Sequence, residues 1–472
     1  MALKLYSTLT KRKQDFQPLE PGIVRVYNCG PTVYSRVHIG NMRSFVFADL
    51  LRRWLEHEGY EVRQVMNITD VGHLVDDAEE GEDKLEAQAR RDGLDPWKIS
   101  EETTRVFFDD LRRMNFRPAM AYPKATDHIP EMLEIIEALI EKGFAYRAGD
   151  NVYFEVSTFE RYGRLSGNNV EDLDAGARIE VLDEKRAPAD FALWKSDSKH
   201  LMKWDSVYGP DGFPGWHIEC SAMARKHLGD QIDIHTGGED NVFPHHECEI
   251  AQSEAFTGKP FASYWMHAKF LQVDGGKMGK SLGNMYDLDD VVAQGFEPRV
   301  LRYTLLRGHY RQPLNFTWDI MTDSAKALEK FDDLVVRLRR IAGGEEGAAS
   351  ATAGTDLVEQ VRRDFQQAMN DDLNTPRAFA ALHALRDHAV QERLGSGAAL
   401  VGIEFLTRVE DALGILKLEV ESLDASIDAL IEERNSARTN KEWARSDEIR
   451  DELLAQGILL EDKGGKTVWR RK

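Results

Sequence analysis

Apolar positions in this chain recur with two spacings, and the places where one gives way to the other mark out its elements. Ile23, Val24 and Val26 form a run of strand length, and Phe45, Ala48, Leu51 and Leu55 then recur at steps of three and four, the spacing of one helix face. Residues 60–73 read as a second strand passing into a polar loop, and the dense charge of 75–92 predicts a solvated loop and helix. Helices are expected over 100–114, with Ser100 as cap, and over 129–142, stopped by Gly143. From 149 to 203 the pattern breaks into short strands and turns, as an insertion between two halves of an α/β sheet would; strand-like runs resume at 230–234 and 270–273. Beyond Asn284 the helical period dominates, with a Gly/Ala/Ser/Thr-rich link at 343–355 and a helix opened by Thr375-Pro376, Thr as its cap. The last stretch, GGKTVWRRK, is strand-like and basic.

The length of 472 residues implies three or four domains. No stretch has the apolar length of a signal peptide core or a membrane span, so a soluble, cytoplasmic chain without membrane contact is expected. A net charge of −20 speaks against nonspecific nucleic-acid binding but leaves room for one local basic patch. Three cysteines, Cys29, Cys220 and Cys248, argue against a disulfide framework and leave room for metal binding or chemistry.

Candidate chemistry gathers first in YNCGPTVYSRVHIGNMRSFVFAD, where a strand runs through a glycine-bearing turn into a helix. Backbone N–H groups and the positive helix end meet there and attract phosphate; Cys29 and His38 add a thiol and an imidazole. In FPHHECEI, His245 and Glu249 lie four apart on one helix face, and Cys220 sits in GWHIECSAM. With Cys29 they have the donors of a tetrahedral zinc site. No CxxC pair links them, His246 and Cys248 compete on the same turn, and buried inert cysteines beside a capped histidine fit the spacing as well. VDGGKMGKSLGN brings Lys277 and Lys280 together among glycines, suited to a polyphosphate although without P-loop spacing; an exposed hairpin turn is the alternative.

His38-Ile39-Gly40-Asn41 and Lys277-Met278-Gly279-Lys280-Ser281 together resemble the HIGH and KMSKS signatures of class I aminoacyl-tRNA synthetases. CGPTVY, NITD, LDAGARIEV, GWHIECSAM, DIHTGGED and FPHHECEIAQS narrow the resemblance, over essentially the whole chain, to the cysteinyl-tRNA synthetase family.

The resemblance implies an α/β fold: a Rossmann-type catalytic domain (1–125 and 205–258) split by a connective insertion (126–204). A stem-contact region (259–318), a helical anticodon-binding domain (319–425) and a small C-terminal recognition module (426–472) would follow. It implies one zinc ion on Cys29, Cys220, His245 and Glu249, binding the thiol of the substrate cysteine. Gly30, Thr69, Trp216 and His235 fall at substrate positions, and Gly40, Asp240, Lys277 and Lys280 at ATP positions, with Mg²⁺ accompanying the nucleotide. His38, Asn41, Lys277 and Lys280 would act on the phosphates as cysteine is activated by ATP to cysteinyl-adenylate, before transfer to tRNA(Cys). Trp469, Arg470 and Arg471 are candidate tRNA contacts, and a monomer is expected.

The metal has a physical rationale. Pocket shape separates isosteres such as cysteine and serine by only about 10²-fold, far short of the ~10⁴-fold that translation needs. Zinc lowers a thiol's pKa and binds the thiolate, whereas a hydroxyl stays protonated.

The sequence departs from the family pattern at Asn41, which cannot carry positive charge, and at Gly279, which loosens the loop; Cys248 is an extra thiol, expected to be a small buried side chain. Rival readings are a cysteine ligase acting on a small amine and an inactive, RNA-binding relative. A zinc hydrolase is disfavoured because HHECE lacks the HExxH arrangement.

Overall fold

The computed structural model describes residues 2–72, 83–168, 184–279, 282–419, 423–455, 458–463 and 466–471. They form two compact units, Met1–Leu416 and Lys417–Lys472.

In the first unit, β1 (Ile23–Asn28) leads through the Cys29–His38 turn into α1 (Ile39–His57), which buries Phe45, Ala48, Leu51 and Leu55 as their spacing predicts. β2 (Glu61–Met66) lies parallel to β1, and α2 (Lys84–Asp92) and α3 (Pro96–Arg113) follow. α3 starts before the expected Ser100: Asp95 is the cap, its carboxylate accepting from the Trp97 N–H, and Pro96 supplies the first helical φ. α4 (Ile129–Glu141) stops before Gly143, whose φ of +78° ends the helix.

An antiparallel sheet then interrupts the α/β order: β3 (Ala145–Ala148), β4 (Asn151–Phe154), β5 (Phe191–Ser196), β6 (Trp204–Ser206) and β7 (Gly209–Pro214), ordered β3-β4-β5-β7-β6. The chain returns through α5 (Trp216–Leu228), β8 (Ile232–Gly238), α6 (His245–Thr257) and β9 (Ala262–Ala268). β8 inserts beside β1, Ile234 opposite Val26, giving a parallel four-stranded sheet ordered β9-β8-β1-β2. β9 carries no strand signal that periodicity could detect. Its aromatic string ASYWMHA is buried on both faces and does not alternate.

Beyond the sheet, Leu271–Val273 pairs in parallel with Leu314–Phe316, bracketing the lysine loop, α7 (Leu288–Ala293) and α8 (Pro298–Leu306). Helices α9 (Trp318–Ala342), α10 (Thr355–Asn370), α11 (Thr375–Val390) and α12 (Ser396–Leu413) complete the unit. Asn374, not Thr375, caps α11: its side chain accepts from the Arg377 N–H, and Thr375 is already helical. Fully buried Arg302 on α8 donates to Asp49 of α1 and to the Leu413 carbonyl at 2.7 Å, tying α8 and α12 to α1.

The second unit contains helices Leu423–Thr439 and Trp443–Ala455 and a hairpin of Ile458–Lys463 with Lys466–Arg471. Trp469 packs against a core of Ile427, Ile431, Ile449, Leu453 and Ile458, so its ring, expected to stack on an unpaired base, is partly taken up by packing. The side chains of Arg470 and Arg471 lie outside those described.

Candidate active site

The C-terminal edge of the parallel sheet opens on a cleft of about 330 Å³, lined where the two central strands end, by Cys29 after β1 and Gly238 of β8. Cys29 follows β1 directly and is held by its N–H to the Thr236 carbonyl of β8 at 3.0 Å. The Gly30 N–H reaches the Asn67 side chain at 2.8 Å, and a Cβ at Gly30 would drive into the Asn67 carbonyl, so only glycine lets the two strand ends approach. Thr69 lines the cleft beside it.

At one end the donor groups converge. Sγ of Cys29 and Cys220, a ring nitrogen of His245 and a carboxylate oxygen of Glu249 all lie within 4.8 Å of one another. Cys220 comes from α5 and the other two from α6, where the four-residue step puts His245 Nε2 3.1 Å from Glu249 Oε1 and 3.6 Å from Cys220 Sγ. All four are buried. Burial raises the pKa of Cys29, contact with Cys29 and burial push Cys220 well up, and burial raises Glu249. Three acids forced together without solvent keep their protons unless a cation neutralises them, so the donor set fits a divalent metal that prefers sulfur and nitrogen. Cys29, His235, His246 and Glu249 form a second converging group. Only the first carries two thiols, and both Cys29 and His245 reach the cleft.

His235, assigned above to the substrate, does not line the cleft. It is fully buried, donates to or accepts from Glu249 Oε2 at 2.8 Å, and stacks on Trp265 at 4.5 Å. Its position in the middle of β8 turns it into the core behind Glu249, leaving it to orient that carboxylate. His246 approaches Cys29 Sγ at 3.1 Å and His267 at 2.8 Å, and His267 meets the Thr8 hydroxyl at 2.8 Å. Burial holds His246 well below its ordinary pKa and brings His267 down to about 3, so both rings are neutral. The histidine density of WHIE, HHECE and MHA was the available signal for this cluster. Trp216 lies parallel to His245 at 4.4 Å and forms part of the cleft wall. Cys248 is buried, 3.3 Å from the Tyr162 hydroxyl, as expected of a small packed side chain.

At the other end His38 caps α1, its Nδ1 accepting from the Asn41 N–H at 3.3 Å. His38 and Asn41 line the cleft there; Asp240 also lines the cleft, as do Tyr34, Arg36 and Lys84, which are not among the sequence candidates. Met278 of the lysine loop sits over Gly40, where a Cβ would collide with its methyl, so the two signature elements touch. Asn284 braces the loop, accepting from the Gly279 N–H at 2.9 Å and donating to the Lys277 carbonyl at 3.1 Å. Lys277 is exposed; Lys280 lies outside the described residues.

A parallel sheet with converging thiols at one end of its cleft and a capped helix N-terminus under a lysine loop at the other belongs to the class I aminoacyl-tRNA synthetases. A family model described as "tRNA synthetases class I (C) catalytic domain" matches residues 15–326. The Mycobacterium tuberculosis methionyl-tRNA synthetase bound by methionyl-adenylate shares the fold, with a TM-score of 0.62 at 14% identity over 83% of this chain and 92% of that one. A DALR domain matches 364–417, and a cysteinyl-tRNA ligase anticodon binding domain 421–470. The chain is 44% identical to the cysteine–tRNA ligase of Chlorobaculum tepidum, over 100% of this chain and 99% of the relative. It is 45% identical to that of Symbiobacterium thermophilum, over 100% of both. The chain belongs to the cysteine–tRNA ligase family.

Proposed function

We propose that this protein activates cysteine with ATP, releasing pyrophosphate, and transfers the cysteinyl group to the 3′-terminal ribose of tRNA(Cys). The observation that carries this reading is the cluster of Cys29, Cys220, His245 and Glu249 at one end of a cleft whose other end is a helix N-terminus. These four residues would hold a zinc ion, which supplies a Lewis acid that takes sulfur as thiolate and leaves a hydroxyl protonated. Gly30, Thr69 and Trp216 enclose the amino acid, and His235 acts from behind by orienting Glu249.

The substrate carboxylate attacks the α-phosphate, and negative charge grows on the phosphate oxygens. Positioned donors and cations stabilise that charge better than an acid–base group would. His38, Asn41 and the start of α1 serve it from below, with Gly40 allowing close approach and Asp240 beside the nucleotide. Lys277, exposed on the loop, and Lys280 would pair with the pyrophosphate, whose charge Mg²⁺ accompanying the nucleotide would help to neutralise. Asn41 contributes hydrogen bonds but no charge, which weakens this stabilisation without removing it.

The match of residues 421–470 to an anticodon binding domain supports tRNA over a small amine as acceptor. Trp469, Arg470 and Arg471 are kept as candidate tRNA contacts. The catalytic domain takes 1–125 and 205–258 around the insertion 126–204, followed by a stem-contact region (259–318), an anticodon-binding domain (319–425) and a C-terminal module (426–472), in a cytoplasmic monomer; no described helix is long and apolar enough to cross a membrane.

Cysteine-dependent exchange of labelled pyrophosphate into ATP, with serine as comparator, tests the first step. Absence of exchange by zinc-replete protein would overturn the reading, and failure to charge tRNA by exchange-active protein would return the acceptor to a small amine.

A further inference from the structure

The turn between the thiol end and His38 carries Arg36, and the mechanism above leaves it unused. Its guanidinium spreads over three carboxylates. Nε and one terminal nitrogen hold Asp110 of α3 at 2.9 and 2.6 Å; the other terminal nitrogen bonds Asp289, and Asp287 lies 3.9 Å from Nε. Arg113 repeats the pattern, at 2.8 Å from Asp289 and 3.1 Å from Asp110. Asp110 is completely buried and Asp289 60% exposed, so the network runs from the core to the surface. Only the planar fork of arginine can bridge carboxylates on separate elements in this way.

Asp287 and Asp289 open α7, the first element after the lysine loop, and Asp287 also closes its capping box. The loop therefore has two moorings. At its entry the Asp274 N–H reaches the Phe316 carbonyl at 3.1 Å. At its exit the Ile39 N–H reaches the Tyr286 carbonyl at 2.9 Å, the His38 and Asp287 backbones pair, and Arg36 grips Asp289. Among the described residues, the Arg36–Asp289 bond joins a backbone pairing and the Met278 contact in registering the loop on the start of α1.

We propose that Arg36 is a positioning residue for adenylate formation, setting the distance between the lysine loop and the phosphate-binding helix end through Asp289. The proposal rests on the cysteine-activation reading. It predicts a defect confined to the phosphate step, because Cys220, His245 and Glu249 of the thiol end come from α5 and α6, which contribute none of the five residues of this network.

The test compares full-length Arg36→Lys, Asp289→Asn and the double variant, the exposed Asp289 being chosen because its loss leaves the core intact. Cysteine-dependent pyrophosphate exchange should fall by about tenfold in kcat, as misregistered catalytic groups do. KM for cysteine, metal content and melting temperature should hold, and transfer from preformed adenylate to tRNA should keep its rate. The double variant should be no slower than Arg36→Lys alone, since both changes break one link. Unchanged exchange in both single variants overturns the proposal, as does a loss that tracks melting temperature, metal content or cysteine KM. Absence of exchange by the unmodified chain overturns the cysteine-activation reading and this proposal together.

Discussion

The two ends of the cleft are built by opposite means. At the thiol end every donor is buried, Cys29 follows a strand and the other three sit on helices, and a row of histidines packs behind them. At the phosphate end the groups sit on a helix cap and a loop, Lys277 is exposed, and charged links run out to the surface. The difference matches the tasks. Telling sulfur from oxygen demands donors that do not yield to the wrong substrate. Stabilising a charge that appears only during reaction calls for cations that can arrive with the nucleotide and leave with pyrophosphate.

Breaking the thiol end should cost most. Cys220→Ala removes one of the two thiols proposed to hold zinc, and cysteine-dependent exchange should fall by about 10³-fold or more, with bound zinc lost on elemental analysis. Retention of both metal and activity would reject the ligand set. At the phosphate end, Lys277→Ala should lower kcat of exchange by ~10²-fold while KM for cysteine and zinc content stay put. A rise in cysteine KM would show the two ends to be less separate than their structures imply. His235→Asn, which removes the ring holding Glu249, should weaken metal affinity by about 10- to 100-fold in a chelator competition, with kcat restored at saturating zinc.

The smallest effect concerns pH. His267 is buried and held down to about 3, whereas in the unfolded chain it titrates near 6.5. Below that unfolded value the unfolded state binds a proton the folded state refuses. The stability His267 contributes is therefore whole above pH ~6.5 and lost progressively towards pH 3. Thermal unfolding of His267→Asn should lose part of that acid-side slope; an identical slope would count against a neutral ring.

Much of this was legible in the sequence, for a local reason. The turn from β1 to α1, the His245/Glu249 step and the lysine loop each lie within a dozen residues, where spacing translates directly into geometry. What escaped was tertiary. Nothing in DIHTGGED says that His235 faces the core, because that depends on which strands flank β8. The Arg36 network joins residues far apart in sequence, and Asp289 alone carries no signal. Two helix starts were misplaced because a proline at the first turn and the Asp or Asn before it outweighed nearby Ser and Thr.

The sheet order has one further consequence, for the growing polypeptide. β1 needs β8 as neighbour, and the cluster needs Cys29 together with Cys220, His245 and Glu249, so a ribosome that has made only the first half has exposed a lone thiol. Until β8 slots in beside β1, that half displays an open strand edge and cannot retain a metal ion. On the proposed ligand set, loading with zinc would indicate that both halves have emerged and joined, and nascent chains halted short of Glu249 should be the ones a holdase chaperone grips.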